Sequence, residues 1–99
     1  MTYAAVYQSW KDDPEAFWMQ AADAIDWIEK PSKALFDDNT PLYEWYVDGK
    51  VNTCWNAVDR HVQSGRGDQT AIIYDSPITH TKHEITYAEL QTRVASLAG

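Results

Sequence analysis

Residues 69–90, QTAIIYDSPITHTKHEITYAEL, carry the clearest folding signals of the chain. Thr70–Tyr74 is short, apolar and rich in β-branched residues, and Glu84–Tyr87 is a second run of this kind. Because a polar stretch opening with Ser76 and Pro77 separates them, the two runs predict an antiparallel β-hairpin. Residues 86–89, TYAE, then match the capping-box pattern, so a helix is predicted to start there. Its apolar stripe is predicted to be Leu90, Val94 and Leu97.

The pattern of capping and apolar residues in the N-terminal third predicts two helices. Asp13 can cap a helix that starts at Pro14, a residue suited to the first helical turn, and Glu15 favours the positive helix end. Pro31 is predicted to end this helix. A shorter helix over about Tyr3–Trp10 is expected before it. The apolar face of the longer helix is predicted to comprise Trp18, Ala21, Ala22, Ile25 and Ile28.

Residues 31–50 predict extended and irregular chain, since Asp-Asn-Thr-Pro and Asp-Gly are turn signals. The alternation of Tyr43, Trp45 and Val47 indicates a short strand-like piece. A further helix is expected over about Thr53–Gln63, where Asn52 or Thr53 can cap it. Ser64 and Gly65 would end it, with Gly65 in a left-handed conformation. The helical face would carry Cys54, Ala57, Val58, His61 and Val62.

The predicted fold class is therefore α+β: a small helical N-terminal module, a short β-hairpin and a C-terminal helix. A two-stranded hairpin is only marginally stable by itself, and the last helix has little core left to pack on. The pattern thus predicts a fragment or N-terminal module of something larger.

Composition restricts the function. The chain has 99 residues, 44% hydrophobic, with a formal net charge of −7 from 15 acidic and 8 basic residues. This charge disfavours nucleic acids and anionic membranes as partners. A single cysteine cannot form an internal disulfide, and the N-terminus lacks the pattern of a secretory or transit signal, so a cytoplasmic location is expected.

Several short motifs resemble sites, but each has a simpler structural explanation. Arg66-Gly67-Asp68 has the letters of an adhesion tripeptide, and Gly65-Arg66-Gly67 those of a phosphate loop. The latter follows a helix and precedes a strand, the reverse of the order that a dinucleotide fingerprint requires. Both are interpreted as one turn.

The candidate metal and nucleophile groups are also incomplete. His80, His83 and Glu84 lie in or beside a predicted hairpin loop, outside any HExxH helix. Cys54 and His61 lack zinc-finger spacing. As a nucleophile pair they would lie two turns apart on one helix, about 10 Å along its axis.

Asp59 and Arg60 point in different directions on their predicted helix, and a structural hydrogen bond or ion pair is expected for Asp59. Core or interface positions are expected for the five tryptophans, which are Trp10, Trp18, Trp27, Trp45 and Trp55. No catalytic, cofactor-binding or metal-binding residue is predicted. From the residues alone the chain is an acidic, aromatic-rich module, for which a free-standing protein-interaction module remains an alternative.

The order of several motifs is more specific than any one of them. DPEAFW at 13–18 is followed by IDW at 25–27, Trp45, Gly49, NTCWNAVDRH at 52–61, RGDQTAIIYDSP at 66–77 and ITYAEL at 85–90. Over about Tyr3 to Ala98 this order resembles the N-terminal segment of the AMP-forming short-chain acyl-CoA synthetases. The IDW and N-x-C-x-N-A-x-D-R details are most similar to the propionyl-CoA synthetases (propionate–CoA ligases).

The resemblance implies an adenylate-forming enzyme that couples propionate or acetate to coenzyme A with ATP and Mg²⁺. The family's phosphate loop, adenine-binding motif and catalytic lysine match nothing in these residues, so the segment alone is expected to be inactive and to hold no cofactor. The residues that match the family pattern, Trp18, Trp45, Asn52, Asn56, Asp59 and Arg60, are interpreted as structural.

The same resemblance divides the chain into 1–69, an N-terminal helical cap module, and 70–99, the hairpin and helix that begin the large AMP-binding domain. The expected partner is the rest of the ligase chain. Self-association through the Leu90, Val94 and Leu97 face is also expected.

Overall fold

A computed structural model describes all residues from Met1 to Gly99. The chain forms two compact units, residues 1–52 and 53–99. Both mix helices with short antiparallel strand pairs, so the predicted α+β class is confirmed. The domain boundary expected after residue 69 concerns a longer enzyme and stays a prediction.

The first unit begins with helices α1, Tyr3–Asp12, and α2, Pro14–Ala22. Thr2 caps α1, and Asp13 caps α2 by accepting a hydrogen bond from the Ala16 amide at 3.0 Å. The short first helix and the helix start at Pro14 are thus confirmed, because both depend on local capping signals.

The predicted length of α2 is wrong. The helix stops at Ala22, and the amide of Ile25 bonds the carbonyl of Ala22 at 3.1 Å in a tightened last turn. Strand β1, Trp27–Glu29, contains Ile28, whose side chain is exposed. The pairing of β1 with a distant strand overrides the helical spacing of Ile25 and Ile28.

Four short strands complete the first unit. They are β1, then β2 at Leu35–Phe36, β3 at Glu44–Trp45 and β4 at Lys50–Val51. β1 pairs antiparallel with β4, and β2 with β3. The strand-like piece predicted around Trp45 is confirmed in shortened form, because Tyr46 has a positive φ of 50° directly after β3.

A close approach in this unit requires glycine at position 49. A Cβ added to Gly49 would lie 2.7 Å from the ring of Trp27. The same ring is held from the other side, since its Nε1–H donates to the carbonyl of Ala22 at 2.8 Å. Gly49 therefore lets the chain pass directly over the Trp27 indole.

The second unit begins with a helix that is wider than expected. It contains two π-helical stretches, Trp55–Asp59 and Val62–Arg66, and the second is interrupted by a kink at Gly65, where the backbone is not helical. Gly65 has φ +87°, so its predicted left-handed conformation is confirmed. The π-type hydrogen bonding was not predicted, because the spacing of apolar residues carries no signal for it.

The hairpin and the final helix are confirmed. Strands β5, Thr70–Ser76, and β6, Thr81–Thr86, pair antiparallel, and β6 begins three residues earlier than predicted. Helix α3, Tyr87–Ala98, starts with the predicted capping box. The Glu89 amide donates to the Thr86 hydroxyl at 3.2 Å, and the Thr86 amide donates to the Glu89 carboxylate at 2.9 Å.

Little of the chain is fully buried. The buried residues are Ala22, Pro31, Ala34 and Val58, and no large side chain is fully enclosed. In the hairpin, Ile73 is 62% exposed, and in α3 Leu97 is 90% exposed. In the first unit, Ile28 is 70% exposed, so large apolar side chains are exposed in both units.

Candidate functional site

The first unit contains an open groove of about 1010 Å³. Its walls come from the end of α1, the first half of α2, residues 32–37 and β3. Most of its surface is apolar, and its large side chains are Trp10, Phe17, Trp18, Leu35 and Trp45. Its charged side chains are Asp13, Glu15, Asp37 and Lys33.

Glu15 fixes one side of this groove. Its Oε1 accepts a hydrogen bond from the Ala34 amide at 2.6 Å, and its Oε2 accepts one from the Leu35 amide at 3.4 Å. Ala34 is only 1% exposed, so its amide depends on this carboxylate. A charged acceptor strengthens such bonds, and Glu15 thereby holds residues 34 and 35 against the start of α2.

The rings of Phe17, Trp18 and Trp45 form an aromatic wall of the groove. The rings of Phe17 and Trp18 meet edge to face at 5.0 Å, and those of Trp18 and Trp45 at 5.7 Å. The Tyr46 hydroxyl donates to the Trp18 carbonyl at 2.7 Å and so connects β3 to α2. Partial burial, with the nearby Glu15 carboxylate, raises the pKa of Tyr46, so this hydroxyl stays a donor at neutral pH.

Cys54 and His61, which helix spacing separates by two turns, have different partners in the structure. The group beside Cys54 is Asp59, and burial followed by the charge and hydrogen bond of Asp59 raises the pKa of the thiol. The ring of His61 instead packs 5.0 Å from that of Tyr87. A raised pKa keeps Cys54 protonated and therefore a weak nucleophile.

The Gly-Arg-Gly-Asp stretch is a turn that holds the start of α3. Arg66 Nε donates to Gln69 at 2.8 Å, and its guanidinium lies 5.9 Å from the Tyr87 ring centre. The Gly67 carbonyl accepts from the Ala88 amide at 3.0 Å, and the Gln69 carbonyl from the Tyr87 amide at 3.0 Å. The side chain of Arg66 and the backbone of Gly67 are thus engaged in packing contacts.

The two histidines of the hairpin have different positions and contacts. His80 lies in the turn with φ 52°, whereas His83 lies on β6 and stacks on Tyr74 at 6.0 Å. Glu84 follows His83 on the same strand, so their side chains point to opposite faces. No group of three or more His, Cys, Asp or Glu side chains in residues 1–99 is arranged to hold a metal ion.

The residues that match the family pattern contact other residues of this chain. Trp18 and Trp45 form the aromatic wall, and Asp59 accepts a hydrogen bond from Gln91 Nε2 at 2.9 Å. Asn52, Asn56 and Arg60 each interact with other parts of the chain. That none of them is catalytic stays a prediction.

Sequence reasoning missed both the groove and the role of Glu15. The glutamate was expected only to favour the helix end, and its partners lie 19 and 20 residues further along the chain. No local pattern relates these positions, so the sequence holds no signal for the contact.

Comparison with known proteins identifies the family. The family profile described as acetyl-coenzyme A synthetase N-terminus matches residues 3–57, more than half of the chain. The chain belongs to the N-terminal domain family of the short-chain acyl-CoA synthetases. The resemblance to the short-chain acyl-CoA synthetases is thereby confirmed.

Members of this acyl-CoA synthetase family share extended identity with the chain. The mitochondrial acyl-CoA synthetase short-chain family member 3 of Bos taurus is 49% identical over 87 residues, covering 88% of this chain and 13% of the relative. The acetyl-coenzyme A synthetase of Desulfatibacillum aliphaticivorans is 40% identical over 95 residues, 93% of this chain and 14% of the relative. That of Rhodopirellula baltica is 42% identical over 94 residues, 89% of this chain and 14% of the relative. The chain thus spans about one seventh of the length of these relatives.

None of its helices is long and apolar enough to cross a bilayer.

Proposed function

We propose that residues 1–99 are the non-catalytic N-terminal segment of an AMP-forming short-chain acyl-CoA ligase that prefers propionate. The match of the acetyl-coenzyme A synthetase N-terminus profile over residues 3–57 carries this proposal. The relatives named acyl-CoA synthetase and acetyl-coenzyme A synthetase support it, because their identity to this chain extends from the helices to the hairpin.

The proposed enzyme works in two steps. The carboxylate of the acid attacks the α-phosphate of ATP, which forms an acyl-adenylate and releases pyrophosphate. The coenzyme A thiol then attacks the acyl carbonyl, and AMP leaves. Mg²⁺ would offset the charge that builds up on the leaving pyrophosphate.

The proposed role of this segment is structural. Glu15 fixes residues 34 and 35, Arg66 and Gly67 hold the start of α3, and the Cys54 thiol is kept protonated by burial and Asp59. Contacts of this kind position backbone and provide no reacting group. Residues 1–69 would cap the ligase, and residues 70–99 would begin its large AMP-binding domain.

The preference for propionate over acetate rests on sequence detail. The IDW motif at 25–27 and the N-x-C-x-N-A-x-D-R motif at 52–60 resemble propionate–CoA ligases. The proposed location is the cytoplasm, and fractionation of the source cells tests it, since the Bos taurus relative is named mitochondrial.

Self-association of the isolated segment is part of the proposal. Leu97 is 90% exposed, and Leu90 and Val94 are partly buried on the same helix. Sedimentation velocity should show association that increases with concentration and that a Leu97→Ser variant reduces. A monomer at all concentrations would contradict it.

The test is AMP release by the full-length natural protein, supplied with ATP, Mg²⁺, coenzyme A and either propionate or acetate. Turnover with a higher kcat/KM for propionate supports the whole proposal. Turnover that favours acetate would retain the ligase and overturn the preference. No AMP release with either acid would overturn the ligase and favour the free-standing interaction module.

A further inference from the structure

The negative charge of the chain is concentrated in the first unit. Residues 1–52 contain ten acidic and four basic side chains, a formal net charge of −6, whereas residues 53–99 contain five acidic and four basic side chains, a net charge of −1. The groove lies in the acidic unit. Its own charged side chains are three carboxylates and one ammonium group, so its field attracts cations.

The aromatic wall favours the same kind of ligand. The faces of tryptophan rings attract ammonium and guanidinium groups, and edge-to-face packing of Trp18 with Phe17 and Trp45 holds these rings in fixed orientations. The only basic side chain of the groove, Lys33, lies 5.1 Å from the centre of the Phe36 ring. Asp37 is in neither of the ion pairs of the chain, which join Lys30 to Asp23 and Lys50 to Glu29.

The size of the groove indicates a segment of protein. A volume of about 1010 Å³ is at the upper end of the range for small-molecule pockets, and this groove is open to solvent. A single small cation would fill a fraction of it and leave most of the apolar wall in water. Aliphatic side chains next to a basic one would cover that wall and gain from its burial.

We propose that this groove binds a short segment of a separate partner protein in which lysine or arginine alternates with aliphatic residues. The basic side chain lies against Trp18 and Trp45 and near the carboxylate of Asp37, and the aliphatic side chains cover Trp10, Phe17 and Leu35. The inference is independent of the proposed ligase activity, because AMP release is not among its measurements.

The probe is a fluorescein-labelled peptide that alternates leucine and arginine, titrated with the full-length natural protein and with residues 1–99. We expect saturable binding that weakens as salt rises, since salt screens exposed charges. In NMR spectra of residues 1–99, the peptide should shift the indole N–H signals of Trp10, Trp18 and Trp45. The signal of Trp55, which lies in the second unit, should not shift. A peptide with glutamate in place of arginine, and one with serine in place of leucine, should bind much more weakly.

The matched variants are Asp37→Asn and Asp38→Asn. Both positions are exposed and lose the same charge, but only Asp37 lines the groove. We expect Asp37→Asn to weaken binding about two- to fivefold relative to Asp38→Asn, the effect of one exposed ion pair. Trp45→Leu, which keeps apolar bulk and removes the ring, should weaken it by a similar factor.

Four results would overturn the proposal. Equal binding of the glutamate peptide would exclude charge recognition, and equal effects of the two Asp variants would place the peptide outside the groove. Free arginine that binds as well as the peptide would make this a small-molecule site. Binding by residues 1–99 but not by the full-length protein would assign the groove to another part of the same polypeptide.

Discussion

The carboxylate of Glu15 and the amide nitrogen of Ala34 lie 2.6 Å apart, although 19 residues separate them in the chain. Glu15 is in the first turn of α2, and Ala34 is the most deeply buried apolar residue of the chain. This one contact connects the helical part of the first unit with its irregular part. It also shapes the groove, since both residues line it.

Removing this carboxylate should destabilise the first unit. Glu15→Ala leaves the buried Ala34 amide without its acceptor, at a cost of about 1–3 kcal/mol in the free energy of unfolding. Glu15→Gln keeps an acceptor oxygen and should recover most of the loss. Urea unfolding followed by tryptophan fluorescence measures both.

The matched control for this prediction is Glu29→Ala. Glu29 forms an exposed ion pair with Lys50 at 2.7 Å, and its removal should cost about 0–1 kcal/mol. If Glu15→Ala and Glu29→Ala lower the free energy of unfolding equally, the contact of Glu15 with Ala34 stabilises the fold no more than an exposed ion pair does.

The capping box of α3 should stabilise the second unit. Thr86→Ala removes the hydroxyl that accepts from the Glu89 amide, which should lower the free energy of unfolding by about 1 kcal/mol. Thr92→Ala is the control within the same helix. The Thr92 hydroxyl donates only to the Ala88 carbonyl, so alanine there should be neutral or stabilising by up to about 0.7 kcal/mol. Helicity and thermal unfolding by circular dichroism compare the two, and equal losses would mean that the cap does not determine the helix start.

Two glycines of one turn should respond in opposite ways to alanine. Gly65 has φ +87° with open space around it, so Gly65→Ala should cost about 1–2 kcal/mol from backbone strain alone. A Cβ at Gly67 would lie 3.6 Å from that of Ala88, an ordinary contact. Gly67→Ala should therefore be neutral or stabilising by up to about 1 kcal/mol, because it restricts the unfolded chain. Denaturant unfolding measures the stability of both variants. A larger loss of stability for Gly67→Ala than for Gly65→Ala would contradict the assigned backbone conformations.

Acid should weaken the first unit partly through Asp48. A hydrogen bond from the Ser32 side chain lowers the pKa of Asp48 below its ordinary value of 3.8. The Ser32 amide, which lies 3.1 and 3.2 Å from the two carboxylate oxygens, lowers it further. A carboxyl with a lowered folded-state pKa stabilises the fold above its ordinary pKa, and this stability is lost as the pH falls through the folded-state value.

The variant that tests this is Asp48→Asn. It should be less stable than the natural protein at pH 7, and the difference should shrink as the pH falls below 3.8. Unfolding measured at a series of pH values gives the result. A difference that stays constant across this range would show that ionisation of Asp48 makes no contribution.

The sequence predicted the parts of the fold that depend on neighbouring residues. The Asp13 cap, the Thr86 capping box and the left-handed Gly65 are local, and the structure has each of them. The failures depend on distant partners. Ile28 leaves the predicted helix because β1 pairs with β4, where Trp27 lies opposite Val51.

The candidate site was beyond prediction for the same reason. Trp18, Leu35 and Trp45 come from three separate segments, and nothing in their spacing indicates a shared groove. The exclusion of a Cys54–His61 pair, in contrast, followed from helix geometry, and the structure places these side chains against different partners, Asp59 and Tyr87.

In the proposed function, residues 1–99 provide structure to a ligase and contribute no reacting group. The most direct measurement is AMP release from ATP, coenzyme A and propionate by residues 1–99, by the remainder of the natural protein produced separately, and by the two mixed. We predict no release by residues 1–99, little by the remainder, and recovery in the mixture. Full activity of the remainder alone, or any turnover by residues 1–99 alone, would contradict the account.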